Sequence, residues 1–422
     1  MQRGGTGVGK LLDMRGMTGN LTIGERVRYY RRRRGLSQRA MAGRVGRGED
    51  WARKVERNDI ELDRLSVIRR LAEVLDVTIG DLIGEPTLLD WNAETGTRTV
   101  PALRSVLMDY RQVTPLLAGP ENVNGEPPSL DKLHRDLGEV FDAYQSSRWG
   151  YVTARVPLVL SDALHATQAA AGADRARAHA LVALTYQAAV SVLTKLGETD
   201  LAWVASERGL AAAQLAGNPA VLGSLFRSVA HALLSTGRFQ AGVQLTEAAA
   251  GVLQPSLGQA DDALWSIYGT LFLTGAIAAA RAEDRASTNA FLREADIAAG
   301  RVGRDTNLMW TAFGPTNVAI HRVATAMELG DVQIALDLAP NLDTSALPVE
   351  RQVRHLIETA RAYSAHNRRN DALALLLDAE HLAPEHVKHH GLSRQLVLSW
   401  LRIHRGPRNT RLDGLARRLR LV

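Results

Sequence analysis

The chain has 422 residues, 45% hydrophobic, 23% charged and only 5% aromatic, the balance of a folded protein whose core is built from Ala, Leu and Val in packed helices. It contains no cysteine, which excludes disulfides, thiolate metal sites and cysteine nucleophiles. No run of 18 apolar residues marks a membrane span, and Met1 to Lys10 lacks the apolar segment of a secretory signal, so a cytoplasmic protein with no membrane partner is expected.

The net charge of +6 is unevenly placed. Residues 1–86 carry +6, residues 402–422 another +6, and residues 87–401 carry −6. A basic head on a mildly acidic body implies one segment that meets a polyanion and another that does not.

Residues 1–20, rich in glycine, read as a flexible leader. Within it Gly4 to Lys10 echoes a phosphate-binding loop, but no strand precedes it and Leu11 stands where Ser or Thr is required. Residues 21–84 then read as five short capped helices. Thr22 with Glu25 forms a capping box that opens the first, which ends near Gly35. Ser37 caps a second, with Met41, Ala42 and Val45 on its apolar face and Gly46 at its end. A third runs from Glu49 to Arg57, and a fourth carries Leu65, Ile68, Leu71, Ala72 and Leu75 at helical spacing. Thr78 and Asp81 cap a short fifth through Leu82, and Gly84 and Pro86 close the module.

Residues 85–149 hold connecting helices at about 100–112 and 130–148, separated by the Gly/Pro/Asn-rich linker Ala118–Ser129. From 150 to 401 five helix–turn–helix units align at Leu196-Gly197, Thr236-Gly237, Ala282-Glu283, Leu329-Gly330 and Asn367-Arg368. Their rhythm is that of a tetratricopeptide-like solenoid, although the Trp-Leu-Gly-Tyr signature is absent and the spacing is long. Residues 402–422 read as a basic capping helix with Leu412, Leu415, Leu419 and Val422 on its apolar side, or as a DNA arm. The expected fold class is all-α: a five-helix head followed by an α-solenoid.

The chemistry concentrates in Leu36-Ser37-Gln38-Arg39-Ala40-Met41-Ala42-Gly43-Arg44-Val45-Gly46 and the helix after it. A small residue inside one helix, glycine in the turn and an apolar anchor, Val55, in the next is what a helix-turn-helix needs. Ile23-Gly24-Glu25-Arg26-Val27-Arg28, Gly35-Leu36-Ser37-Gln38, Ala42, Gly46, Val55-Glu56-Arg57 and Leu65, Leu71, Ala72, Leu75 and Leu82 together make residues 23–83 resemble the DNA-binding domain of the XRE family, which includes the lambda-type phage repressors. The resemblance implies that Gln38 touches phosphate and braces the base-reading residue. It also implies that Glu49, Asp50, Arg53 and Lys54 face the groove, and that Arg57 contacts the backbone; Arg34 and Arg47 join this candidate DNA-binding set. Gly48 replaces the usual Ser cap, and the acidic pair Glu49 and Asp50 either stabilises the helix start or accepts from cytosine amino groups. Arg31 to Arg34 either contacts phosphate or is a solvated helix end.

Candidate ligand-binding residues are Trp265, Tyr268, Phe313, Asn317 and His321, on first helices of repeats that would line a concave surface; the competing reading is inter-repeat packing. His381, His386, His389 and His390 read as surface histidines rather than metal ligands, and no Ser/His/Asp grouping suggests an enzyme, so neither metal, cofactor nor catalytic site is expected. The joint architecture is similar to the RRNPP-type quorum-sensing regulators and to repeat-containing XRE regulators of actinobacteria. That similarity implies a homodimeric transcriptional regulator that binds double-stranded operator DNA and senses a small molecule or peptide; the alternative is a protein-binding adaptor localised by its head.

Overall fold

The computed structural model describes residues 21–60, 62, 64–75, 77, 79–83, 100–109, 127–403 and 409–422. The leader, its phosphate-loop echo, the Thr78 cap, the Gly84–Pro86 closure and most of the 118–129 linker lie outside the described residues. Among those described there is no β-strand, only an isolated antiparallel bridge between Thr306 and Phe313, so the protein is all-α. Two compact units emerge: Met1–Asp90 with Thr359–Val422, and Trp91–Glu358. Residues 359–401, read from sequence as the last of the repeats, therefore group with the head.

The head consists of α1 (Ile23–Arg33), α2 (Gln38–Val45), α3 (Glu49–Glu56), α4 (Leu65–Leu75) and α5 (Ile79–Ile83). Val27, Met41, Ala42, Val55, Ile68, Leu71 and Leu82 are the centre of its core. The capping box at α1 is complete: Glu25 N–H donates to Thr22 Oγ1 at 3.2 Å and Thr22 N–H to Glu25 Oε2 at 2.9 Å. Ser37 Oγ accepts from Ala40 N–H at 3.0 Å to start α2, and Gly46 ends it in the left-handed conformation.

In the second unit α6 (Val100–Leu107) precedes a run of helical hairpins. They are α7 (Leu130–Gln145) with α8 (Trp149–Ala169), α9 (Ala173–Lys195) with α10 (Thr199–Ala216), α11 (Pro219–Ser235) with α12 (Phe239–Leu253), α13 (Asp262–Arg281) with α14 (Arg285–Val302), and α15 (Pro315–Leu329) with α16 (Val332–Leu338). α17 (Val349–Ala365), within which the unit boundary falls, pairs in the same way with α18 (Arg369–Leu382).

One turn recurs in all six hairpins. Ser147, Gly197, Gly237, Glu283, Gly330 and Asn367 have positive φ, and the next residue's N–H donates to the carbonyl five residues back. These bonds, Arg148 to Ala143, Glu198 to Leu193, Arg238 to Leu233, Asp284 to Ala279, Asp331 to Ala326 and Arg368 to Tyr363, are all 2.8–2.9 Å. The left-handed residue closes the helix while satisfying a carbonyl that would otherwise have no partner. Sequence rhythm marks five of these turns. It misses the one at Ser147, because residues 130–148 read as a connecting helix ahead of the repeats.

First and second helices of the hairpins differ in what they leave open to solvent. Exposed Leu158, Trp203, Leu215, Val252, Ile297 and Ile334 all lie on second helices. α13, a first helix, is long and apolar enough to cross a membrane, yet 89% of its most apolar window is buried, as in a core helix.

The chain ends with α19 (Pro384–His389), α20 (Gly391–Ile403) and α21 (Thr410–Arg418), which belong to the first unit. Gln395 of α20 fastens this segment to the head. Its Oε1 accepts from the Ile23 N–H at 3.0 Å, and its Nε2 donates to the Ile83 carbonyl at 2.5 Å. One amide thus satisfies a backbone donor at the start of α1 and an acceptor at the end of α5. Arg402 pairs with Glu25 at 2.8 Å, and Arg418 with Glu380 at 2.6 Å, so both serve the fold. Leu412, Leu415 and Leu419 are buried as their spacing suggests, whereas Val422 is exposed. His381 is exposed, but the surface reading of His386 needs a correction. His386 is fully buried and its ring lies 5.8 Å from that of His390, because α19 turns its histidine side inward. Among the described residues no group of three or more His, Asp and Glu is placed to hold a metal ion.

Candidate functional site

The position of α3 is set from three sides. α1 crosses so closely that a Cβ on Gly24 would stand 2.1 Å from the Val55 carbonyl oxygen, which only glycine allows. From below, Ala52 and Val55 are buried against Met41 and Ala42 of α2. At its end Glu56, 4% exposed, joins three elements. Its carboxylate receives a bidentate Arg31 guanidinium, with Nη2 to Oε2 at 2.9 Å, and the Gln38 amide at 2.8 Å. Arg31 also donates to the Leu36 carbonyl at 2.7 Å. The Glu56 hydrogen bond raises the already high Arg31 pKa, so the guanidinium keeps its charge.

Arg31 is therefore a structural arginine, not a phosphate contact or a solvated helix end. Gln38 is engaged with Glu56, which leaves it bracing α3. Arg32 and Arg33 are exposed, and Arg34, also exposed, donates to the Val74 carbonyl at 3.1 Å.

The outer face of α3 is open. Glu49, Asp50, Arg53, Lys54 and Arg57 are all exposed, as is Arg47 in the turn before it. Gly48 is the N-cap and supplies no side-chain hydrogen bond, so Glu49 and Asp50 face an uncapped positive helix end. Asp50 does more than that. Its two oxygens take the Arg53 guanidinium and, at 2.8 Å, the Lys54 ammonium, and hydrogen bonds from Lys54 and then Arg53 hold its carboxyl below the ordinary aspartate range. Arg57 leans on Asp59 at 3.2 Å. Asp50 thus tethers the two cations best placed to meet a polyanion. Replacing Asp50 by Ala is expected to tighten binding to non-specific duplex and steepen its salt dependence by about one unit of slope, because one negative charge leaves the contact face. A fluorescence-anisotropy salt titration reads this; weaker binding confined to a specific site would mean that Asp50 reads a base instead.

In the second unit, the five residues marked from sequence do not form one site. Phe313 is fully buried, its ring so close to α13 that a Cβ on Gly269 would overlap it. Asn317 is fully buried as well; its Nδ2 donates to the Ala312 carbonyl at 2.8 Å and ties down the loop before α15. Tyr268 is buried against Trp265 and Phe272 in edge-to-face contacts, and Arg301 covers the half-buried Trp265 ring at 5.7 Å. His321 differs. It sits in a polar cluster contributed by first helices: Tyr144 on α7, Lys195 on α9, Arg227 and His231 on α11, and Glu350 and Arg351 on α17.

Glu350 binds Lys195 at 3.0 Å and Arg351 at 3.1 Å. Burial, reinforced by Arg351, pushes His321 down to about 3, and burial with the neighbouring cations pushes His231 well below the usual histidine range, so both rings are neutral at pH 7. Burial likewise raises the Tyr144 phenol, which keeps its proton. His231 is nevertheless solvent-accessible. The exposed His231 ring marks the open side of this cluster. Arg227 is legible as the one charged residue of α11, a signal that periodicity alone passes over.

Residues 22–83 match the helix-turn-helix domain family, and the head is a helix-turn-helix domain of the kind found in DNA-binding regulators. No curated protein matches the chain. Six solved chains do. One is the crystal structure of BtubC (BKLC) from P. vanneervenii, 15% identical, with 66% of this chain and 96% of that one covered and a TM-score of 0.37, a likeness too slight to carry an argument.

Proposed function

We propose that the protein is a sequence-specific transcriptional regulator that binds operator DNA as a homodimer and whose hairpin body senses a small molecule or peptide. The observation that carries the reading is the outer face of α3: Arg53, Lys54 and Arg57 are exposed on a helix whose other side is fixed by Gly24, Val55 and Glu56. A helix held that rigidly can enter a major groove while Arg32, Arg33 and Arg47 lie near the phosphates. The XRE resemblance of the head supports this, and the resemblance of the whole architecture to repeat-containing regulators supports the sensing role. No catalytic step belongs to this reading, and a cytoplasmic location suits it. The effector acts by binding one arrangement of the two heads better than another.

A two-fold dimer would place its half-sites about 34–36 Å apart or a multiple of that distance. Sedimentation of the full chain on a selected duplex tests the stoichiometry. Two chains per duplex with a palindromic site is the expected result. One chain on an asymmetric site contradicts the dimer, and no site at all favours a protein-binding adaptor.

A further inference from the structure

The polar cluster in the second unit has a charge imbalance that the fold leaves unresolved. Arg227 is 8% exposed, and among the described residues its guanidinium has neither a hydrogen bond nor an ion pair; Nε is buried without a partner. It sits beside Arg351, Tyr144 and Glu350, and burial together with repulsion from Arg351 lowers its pKa to about 10. Glu350 cannot neutralise it, since both its oxygens are already given to Lys195 and Arg351. Arg354, the next cation along α17, is matched by Glu358 at 3.2 Å. Three cations against one carboxylate leave the centre with two uncompensated positive charges. A buried arginine without a partner is among the costlier features a core can hold, and its fork of donors fits a carboxylate or phosphate edge-on.

We infer that this cluster is a binding site for a small oxyanion of charge about −2, a dicarboxylate or a phosphate monoester, seated between Arg227 and Arg351. Tyr144 offers a hydroxyl to the same ligand. His231 and His321, both neutral, line the remainder, where an uncharged part of the ligand would lie. His321 Nδ1 is 2.8 Å from the Asn317 carbonyl, to which it donates, so its Nε2 is left as an acceptor. Because every group comes from the first helix of a different hairpin, apart from those sharing α11 and α17, an anion there would draw four helices together. Taking this anion as the effector rests on the regulatory reading, but its occupancy can be measured without DNA.

The test is calorimetric titration of the full chain with succinate and, separately, with inorganic phosphate at pH 7.5 and constant ionic strength, with chloride as the control. Binding of at least one of the two, and none of chloride, is expected. Arg227→Gln should weaken it roughly tenfold or more, the size of a lost charged hydrogen bond, and Arg227→Lys should weaken it less. Arg53→Ala with Lys54→Ala should leave it unchanged, which separates this cluster from phosphate held by the head. Without ligand, Arg227→Met should keep or raise the thermal midpoint, since it removes an unpaired buried charge; that variant also guards against a fold lost in the glutamine change. Binding that persists in Arg227→Gln, or no binding of either anion by the wild-type chain, overturns the site. Neither outcome touches the DNA reading, which fails if the full chain selects no duplex.

Discussion

Replacing Arg53 and Lys54 together with Ala is expected to weaken binding to a specific duplex about 100-fold, from ~1–3 kcal/mol for each side chain that reaches the DNA. Each of the two that meets a phosphate should also take about 0.9 from the slope of log affinity against log salt. Both side chains are exposed, and the carboxylate they pair with, Asp50, is equally exposed. The thermal midpoint should therefore stay put, since substitutions at such positions usually change stability by no more than about 0.5 kcal/mol. Equal binding by wild type and double variant across a salt series would show that α3 is not the contact helix. Lower affinity with an unchanged slope would assign both cations to base edges rather than phosphates.

The other large effect lies behind α3 rather than on it. Glu56→Ala removes the carboxylate that holds Arg31 of α1 and Gln38 of α2. Arg31 would keep its bond to the Leu36 carbonyl but lose its counter-charge in a nearly closed site. Breaking one partner of such a pair typically costs about 3–5 kcal/mol, a large part of the stability of a small domain. Amide exchange on the full chain should accelerate through α2 and α3 first, with DNA binding lost in parallel. If exchange in α2 and α3 is unchanged, the clamp does not hold the contact helix in place.

The head is readable because its signals are local. Thr22 with Glu25, Ser37 with Ala40 and the glycine at 46 act within four residues, and each stands where its letters put it. Ala42 and Val55 are recognisable as packing positions by size and spacing. The role of Arg31 is not, for an arginine run looks the same whether it meets phosphate or reaches a glutamate 25 residues away. Gln395 illustrates the limit more sharply, since its bond to Ile23 spans 372 residues and no pattern announces it. In the body, repeat rhythm finds five of the six turns but not which face of each first helix looks inward. Phe313 and Asn317 satisfy a pattern for ligand contact, yet the loop at 306–313 needs them for its own closure. Arg227 stands out as the lone charge of α11, but its meaning depends on Arg351, three hairpins further on.

The most direct measurement is methylation interference on a duplex selected from a random pool by the full chain. α3 in the major groove requires that methyl groups on guanine N7, which project there, block binding at a few positions repeated at the half-site spacing, while methyl groups on adenine N3, in the minor groove, do not. Interference from the minor groove alone, or a pool that yields no preferred sequence, would contradict it.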